Sequence, residues 1–140
     1  MKIVLAIDDS RFSEAATQAI IAQYQQQGTE VNVLNVVDLP LPIPTSDAAA
    51  FRELSLKHGQ ELVQRAERLL SKAGYKTQTV VEEGDPKSKI IDQAKKWKAD
   101  LIVMGSHGRK GINRFLVGSV AEAVSRHASC SVEIVRIPGG

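Results

Sequence analysis

Gly105-Ser106-His107-Gly108, nine further residues, and then Gly118-Ser119 stand between a short apolar run and the chain's last amphipathic stretch. Glycines let a backbone approach an anion with no Cβ in the way, and the N–H groups and dipole of a helix N-terminus favour phosphate. The spacing therefore suits a phosphate cradle. It suits equally a tight turn at Gly105 and Gly108 with Gly118 permitting close helix packing, and spacing alone gives the two readings equal weight. His107 has the chemistry to hydrogen-bond a phosphate or to act as an acid or base near neutral pH, although a loop histidine is more often simply exposed. Ser119 can donate to a phosphate or cap the last helix. Arg109, Lys110 and Arg114 would lower the negative potential of a phosphate beside them, while basic loop residues are usually just solvated.

Carboxylates supply the second set of groups. Asp8 closes the apolar run Ile3-Val4-Leu5-Ala6-Ile7 and is placed to accept from a ribose hydroxyl or to cap the next helix. Asp9 reads as a solvated turn residue. Asp8, Asp9 and Asp38 together suggest an acidic magnesium pocket of the phosphorylatable receiver kind, since Mg²⁺ favours carboxylate oxygens. Such a pocket wants an acceptor Asp after its third strand and a Lys after its last, where this chain has Glu82-Glu83 and Arg136. The chain also lacks a Gly-x4-Gly-Lys-Ser/Thr loop, so efficient phosphoryl transfer is not expected and slow hydrolysis stays open. The single cysteine, Cys130, reads as a small buried hydrophobe, and it excludes an intrachain disulfide.

Short apolar runs alternating with helical stripes must position these groups. Ile3 to Ile7 is a strand buried on both faces, followed by a helix with Ser10 as cap, a stripe of Phe12, Ala15, Ala16, Ala19 and Ile20, and Gly28 as its stop. Val31 to Val37 is the second strand, and Asp38 to Asp47, with three prolines, is an irregular loop suited to serve as a flap. A long helix from Ala48 to Ala73 places Leu54, Leu62, Ala66, Leu69 and Leu70 on one face, with Gly59 as a point of weakness and Gly74 at its end. Lys76 to Val81 is a more polar strand near an edge, and Asp85-Pro86 opens a helix striped by Ile90, Ala94 and Trp97. Asp100 to Met104 is the fourth strand. The last helix carries Val117, Val120, Ala121, Val124 and Ala128, and Val132 to Ile137 is the fifth strand. Alternating strands and helices predict an α/β doubly wound parallel sheet with helices on both faces, whose ligands bind beyond the strand carboxyl ends where strand order reverses. The fifth strand, an apolar edge, invites pairing with a second copy across a two-fold axis.

At 140 residues the chain suits one domain, residues 1–140. Its 43% hydrophobic and 24% charged residues are those of a globular protein, and a formal charge of +2 from 18 basic and 16 acidic residues gives no ground for a nucleic-acid or membrane partner. No run approaches the about 20 apolar residues of a membrane span. The short apolar opening, stopped by Asp8-Asp9, is not that of a signal peptide, so the expected location is cytoplasmic.

The pattern Gly-x2-Gly-x9-Gly-Ser at Gly105, Gly108, Gly118 and Ser119, after the strand Asp100 to Met104, resembles the nucleotide-binding signature of the universal stress protein family. Ile3 to Asp8 with Ser10 and Ser13, Asn35-Val36-Val37-Asp38, Gly84-Asp85-Pro86 and Cys130 to Val135 extend the resemblance along the whole chain. It implies a five-stranded sheet of order 3-2-1-4-5, of the nucleotide alpha-hydrolase-like kind. It further implies a cytoplasmic stress-response protein of the ATP-binding subgroup, a homodimer joined through Val132 to Ile137. Asp8 would meet the ribose or adenine end beside the backbone of Ala6 and Ile7, with Val36 lining the adenine pocket. Met104, Gly105, Gly108, Gly118, Ser119 and Val120 would hold ribose and phosphates, with Arg109 next to them. The ligand implied is ATP or AMP, with or without Mg. Two positions depart from the family's commonest pattern: Asp9 adds a carboxylate that would repel phosphates or help hold a metal, and Ala121 lacks a hydroxyl found in some ATP binders. A nucleotide-free dimerisation or scaffold module and a slow ATPase are the alternatives.

Overall fold

The computed structural model describes residues 1–39, 47–107 and 118–137. Five strands and four helices alternate along them: β1 (Lys2–Ala6), α1 (Arg11–Gln23), β2 (Glu30–Val37), α2 (Ala48–Lys72), β3 (Lys76–Glu83), α3 (Pro86–Trp97), β4 (Leu101–Gly105), α4 (Ser119–His127) and β5 (Ser131–Val135). All strand pairs are parallel and their order is β3-β2-β1-β4-β5, as expected.

The central strands are apolar throughout because both their faces are covered. Ile3, Leu5, Val31, Val33, Leu101 and Val103 face a core closed by α1 and α2 through Ala16, Ile20, Leu62, Val63, Ala66 and Leu70. Val4, Ala6, Leu34, Ile102 and Met104 face the opposite core, closed by α3 and α4 through Ile90, Ala94, Ala121 and Val124. Ala6 pairs with Leu34 of β2 on one side and Met104 of β4 on the other. The chain therefore builds outward from β1 to β3, then crosses to β4, and the β1 and β4 carboxyl ends flank the reversal of strand order.

Local chemistry sets the helix ends. The Ser10 hydroxyl accepts from the Ser13 N–H at 3.3 Å and caps α1. Asp85 caps α3 by accepting from the Ser88 N–H and hydroxyl, bonds that hold its carboxyl below the usual range, with Pro86 in the first turn. Gly28 lies four residues beyond the Tyr24 C-cap, so it shapes the turn into β2 and does not stop α1; its φ is 79°. In α2 the buried stripe is Gly59, Leu62, Val63, Ala66 and Leu70, whereas Leu54 and Leu69 are 67% and 39% exposed. Of the predicted stripe, Leu62, Ala66 and Leu70 lie on the buried arc, and Leu54 and Leu69 lie off it.

Edge strands β3 and β5 are only partly buried. On β5, Glu133 accepts from the Tyr24 hydroxyl, and that hydrogen bond, followed by burial, pushes the Tyr24 phenol up to about 12. The bond ties the C-terminal end of α1 to β5. Cys130 is half-buried against the α3/α4 core, and burial raises its thiol above the ordinary value.

One core residue contradicts its surroundings. Asn32 is fully buried between Val4 and Gln78 in the strand register, and neither its Nδ2 nor its Oδ1 has a hydrogen-bond partner among the described residues. An unsatisfied buried amide costs roughly 1–3 kcal/mol, and valine suits this interior strand. Asn32→Val is expected to raise the unfolding free energy by about 1 kcal/mol, read from the urea midpoint at constant m-value.

Candidate functional site

The carboxyl ends of β1 and β4 carry most of the sequence-selected residues. Gly108 and Arg109 lie outside the described residues, as do Lys110, Arg114, Val117 and residues 40–46 of the proposed flap. The remaining candidates fall on three elements at this end of the sheet: Ala6, Ile7 and Asp8 at the end of β1, Val36 on β2, and Met104 and Gly105 on β4. Gly118, Ser119 and Val120 then form the start of α4.

Asp8 folds back on the first turn of α1. Its Oδ1 accepts from the Ser10 N–H and from the Ser13 hydroxyl, both at 2.9 Å, while its own N–H donates to Ser13 Oγ at 2.7 Å. This network fixes the carboxylate's direction and leaves Oδ2 without a hydrogen-bond partner among the described residues. The helix-capping and ligand roles weighed for Asp8 are thus compatible, one oxygen for each. Ile7 donates its N–H to Leu34 O at 2.9 Å and accepts from Asn35 Nδ2 at 2.8 Å. Asn35 Oδ1 lies only 2.6 Å from where a Cβ would stand at Gly59. Gly59 is therefore a point of close approach of α2 to β2, and not a weakness in the helix.

Asp9 is exposed, and its Oδ2 lies 3.4 Å from His58 Nε2 on α2. At the far end of the site's rim, Arg52 Nε reaches both oxygens of Glu83 at 3.0 and 2.9 Å. That pairing holds the Glu83 carboxyl below its usual range. Neither arrangement assembles a cation site: no group of three or more His, Cys, Asp or Glu able to hold a metal occurs among the described residues.

The β4 end explains its glycines sterically. A Cβ at Gly105 would stand 2.6 Å from Phe12 Cβ and 2.9 Å from the Phe12 backbone C and O, so α1 closes on β4 only because position 105 has no side chain. A Cβ at Gly118 would stand 3.0 Å from Ser106 O and 3.2 Å from His107 Cα. Gly118 donates its N–H to Ser106 O at 2.7 Å and begins α4 with no side-chain cap. The first N–H groups of α4 are thereby presented beside the end of β4. Ser119 is exposed and Val120 half-buried.

His107 is not an exposed loop residue. It is 9% exposed, its ring lies 5.2 Å from that of Phe12, and its Nδ1 is 3.0 Å from Ser106 Oγ. Ser106 is buried as well, and its N–H donates to Val135 O at 2.8 Å. Ser106 and Asn35, which the sequence places in the motif and at the end of the second strand, carry structural roles that the sequence alone does not assign them. The available signal was a polar residue inside or directly after an apolar strand, a position that demands a hydrogen-bond partner.

The chain matches the universal stress protein family over residues 1–136. It belongs to that family. A universal stress protein of Methanocaldococcus jannaschii is 36% identical over 140 residues, spanning 98% of this chain and 82% of the relative. Among solved structures, the universal stress protein UspA from Lactobacillus plantarum superposes with a TM-score of 0.86 at 26% identity, covering 97% of each chain. A universal stress protein family member from Arabidopsis thaliana with AMP bound gives a TM-score of 0.75 at 18% identity, covering 99% of this chain and 93% of its own, a likeness of fold.

Gly105→Ala forces Phe12 and the start of α1 away from β4. It is expected to cost about 1–3 kcal/mol of stability, read by denaturant titration, whether or not a ligand is present.

Proposed function

We propose that this chain binds an adenine nucleotide, ATP or AMP, at the carboxyl ends of β1 and β4, and serves in the cytoplasm as a dimeric regulator or sensor of the stress response. The observation that carries the reading is the uncapped start of α4, where Gly118, free of a Cβ, packs on the Ser106–His107 backbone. A helix that begins without a side-chain cap offers its first N–H groups to an anion. Family membership and the AMP held by the Arabidopsis neighbour support the same ligand class.

In this reading Ser119 and Val120 receive phosphate oxygens through backbone N–H groups, and the Ser119 hydroxyl adds a donor. Asp8 Oδ2, which has no hydrogen-bond partner among the described residues, accepts from a ribose hydroxyl, held in direction by Ser10 and Ser13. Val36, half-buried, and the backbone of Ala6 and Ile7 line the adenine side, with Met104 and Gly105 between base and phosphates. Gly108 and Arg109 complete the set on sequence grounds. Holding the nucleotide, rather than turning it over, is the function proposed. No described helix is long and apolar enough to cross a membrane.

The alternative scaffold reading has one observation in its favour: packing against Phe12 is enough to require a glycine at 105. Mass spectrometry of small molecules released by denaturing the fresh protein separates the two. Wild-type protein is expected to release near-stoichiometric adenine nucleotide, and Gly118→Val to lose it with its helical circular dichroism kept. An empty wild-type protein that also ignores added ATP moves the function to the scaffold.

The outer edge of β5 carries half-buried Val132 and Ile134 at the margin of the sheet. Such an edge pairs or is protected. Sedimentation velocity is expected to show a dimer, and hydrogen exchange to show β5 amides losing protection on dilution. A monomer with concentration-independent exchange removes the dimer from the proposal.

A further inference from the structure

We infer that His107 is a further ligand-binding residue of the same site, its Nε2–H donating to a phosphate oxygen of the nucleotide; the inference rests on the nucleotide reading above. Nε2 is buried and has no hydrogen-bond partner among the described residues, although the rest of the ring is fixed. Ser106 Oγ holds Nδ1 at 3.0 Å, and the ring is tilted against that of Phe12. A buried polar atom left open inside an otherwise ordered cluster calls for a partner beyond the described residues, and a bound ligand supplies one.

The chemistry of that partner follows from the proton count. The N–H of Ser106 is committed to Val135 O and its carbonyl to the Gly118 N–H, and among the described residues its hydroxyl has only Nδ1 to bond. If Nδ1 carried the proton, both the serine hydroxyl hydrogen and Nε2 would be left unpaired. With the hydroxyl donating to Nδ1, one group remains open, and it is the donor Nε2–H. A phosphate oxygen is a pure acceptor and makes a charge-assisted bond with such a donor. The backbone position agrees: His107 Cα lies 3.2 Å from the point where a Cβ would stand at Gly118, the N-cap of α4. His107 therefore adjoins the anion-facing helix end. Because Nε2 is shielded from solvent, a ligand reaches it only by shifting the ring or the turn that carries it. Binding and a local movement at His107 are then one event.

Isothermal titration calorimetry of the full chain, freed of any copurified ligand, with adenosine, AMP and ATP tests this for wild type, His107→Asn and His107→Gln. Asparagine keeps a polar group near Nδ1 but does not reach Nε2, and glutamine places an N–H close to it. His107→Asn is expected to weaken AMP and ATP about tenfold or more and leave adenosine unchanged, with His107→Gln restoring part of the loss. In wild type the Nε2 resonance of His107, followed by ¹⁵N NMR, is expected to move on saturation with AMP and to stay in place with adenosine. Equal weakening for adenosine and AMP, or an Nε2 resonance unmoved by saturating AMP, overturns the inference and leaves the nucleotide reading standing. Wild-type protein that binds none of the three compounds overturns both. Should His107→Asn fail to fold, the wild-type resonance decides alone.

Discussion

Ser106 sends each of its polar groups to a different neighbour. Its N–H is bonded to Val135 at the end of β5, its carbonyl to Gly118 at the start of α4, and its hydroxyl to the His107 ring. The residue is 2% exposed, so these bonds are shielded from competing water. β4 cannot end elsewhere, α4 cannot start elsewhere, and the last strand is held to the same point. The positions of the uncapped helix end and of the edge strand are thus set by one buried residue, and both candidate activities of the protein, ligand binding and self-association, depend on it.

A second constraint acts from the other side of the sheet. Phe12 lies on Gly105, and Asp8, Ser10 and Ser13 lock the first turn of α1 onto the end of β1. Farther along, Gly59 lets α2 come within contact of Asn35, whose amide is bonded to Ile7 O. Each contact brings a helix unusually near a strand end. The carboxyl end of the sheet is therefore rigid at β1 and β4, which is what a site made of backbone N–H groups needs, since backbone donors have no rotamers with which to adapt.

The fold was legible because its signals are redundant. Continuous apolar runs at β1 and β4, against the more polar β3, separate centre from edge, and Asp85-Pro86 announces a helix start by two independent rules. Strand ends at the site were legible for the same reason. Exposure was harder to read. Leu54 and Leu69 match the apolar type without matching the 3.6-residue phase of Leu62, Ala66 and Leu70, and residue type outweighed phase in the sequence reading. A loop position suggests an exposed His107, yet it stands two residues beyond a buried strand and shares that strand's surroundings. Glycines were ambiguous for a deeper reason: a missing Cβ serves a ligand and a packed neighbour alike, and only the identity of the neighbour, Phe12 for Gly105, separates the two.

That ambiguity bears on what the family's glycine pattern means in this chain. Gly105 would be needed for packing even in a protein that binds nothing, because Phe12 leaves no room for a Cβ there. Gly118 is different in kind. The atoms that forbid a Cβ there are backbone atoms of the turn that adjoins the α4 N-terminus, so the same absence of a side chain both closes the turn and opens the helix end. An aspartate, serine or threonine at this position would cap α4 with its own oxygen and fill the place of an anion. A glycine N-cap gives up that local stabilisation, and the donors it leaves open are matched by a buried imidazole nitrogen left open beside them. A helix start with no side-chain cap and, beside it, a buried imidazole nitrogen with no hydrogen-bond partner among the described residues together form the point that the proposed anion would complete.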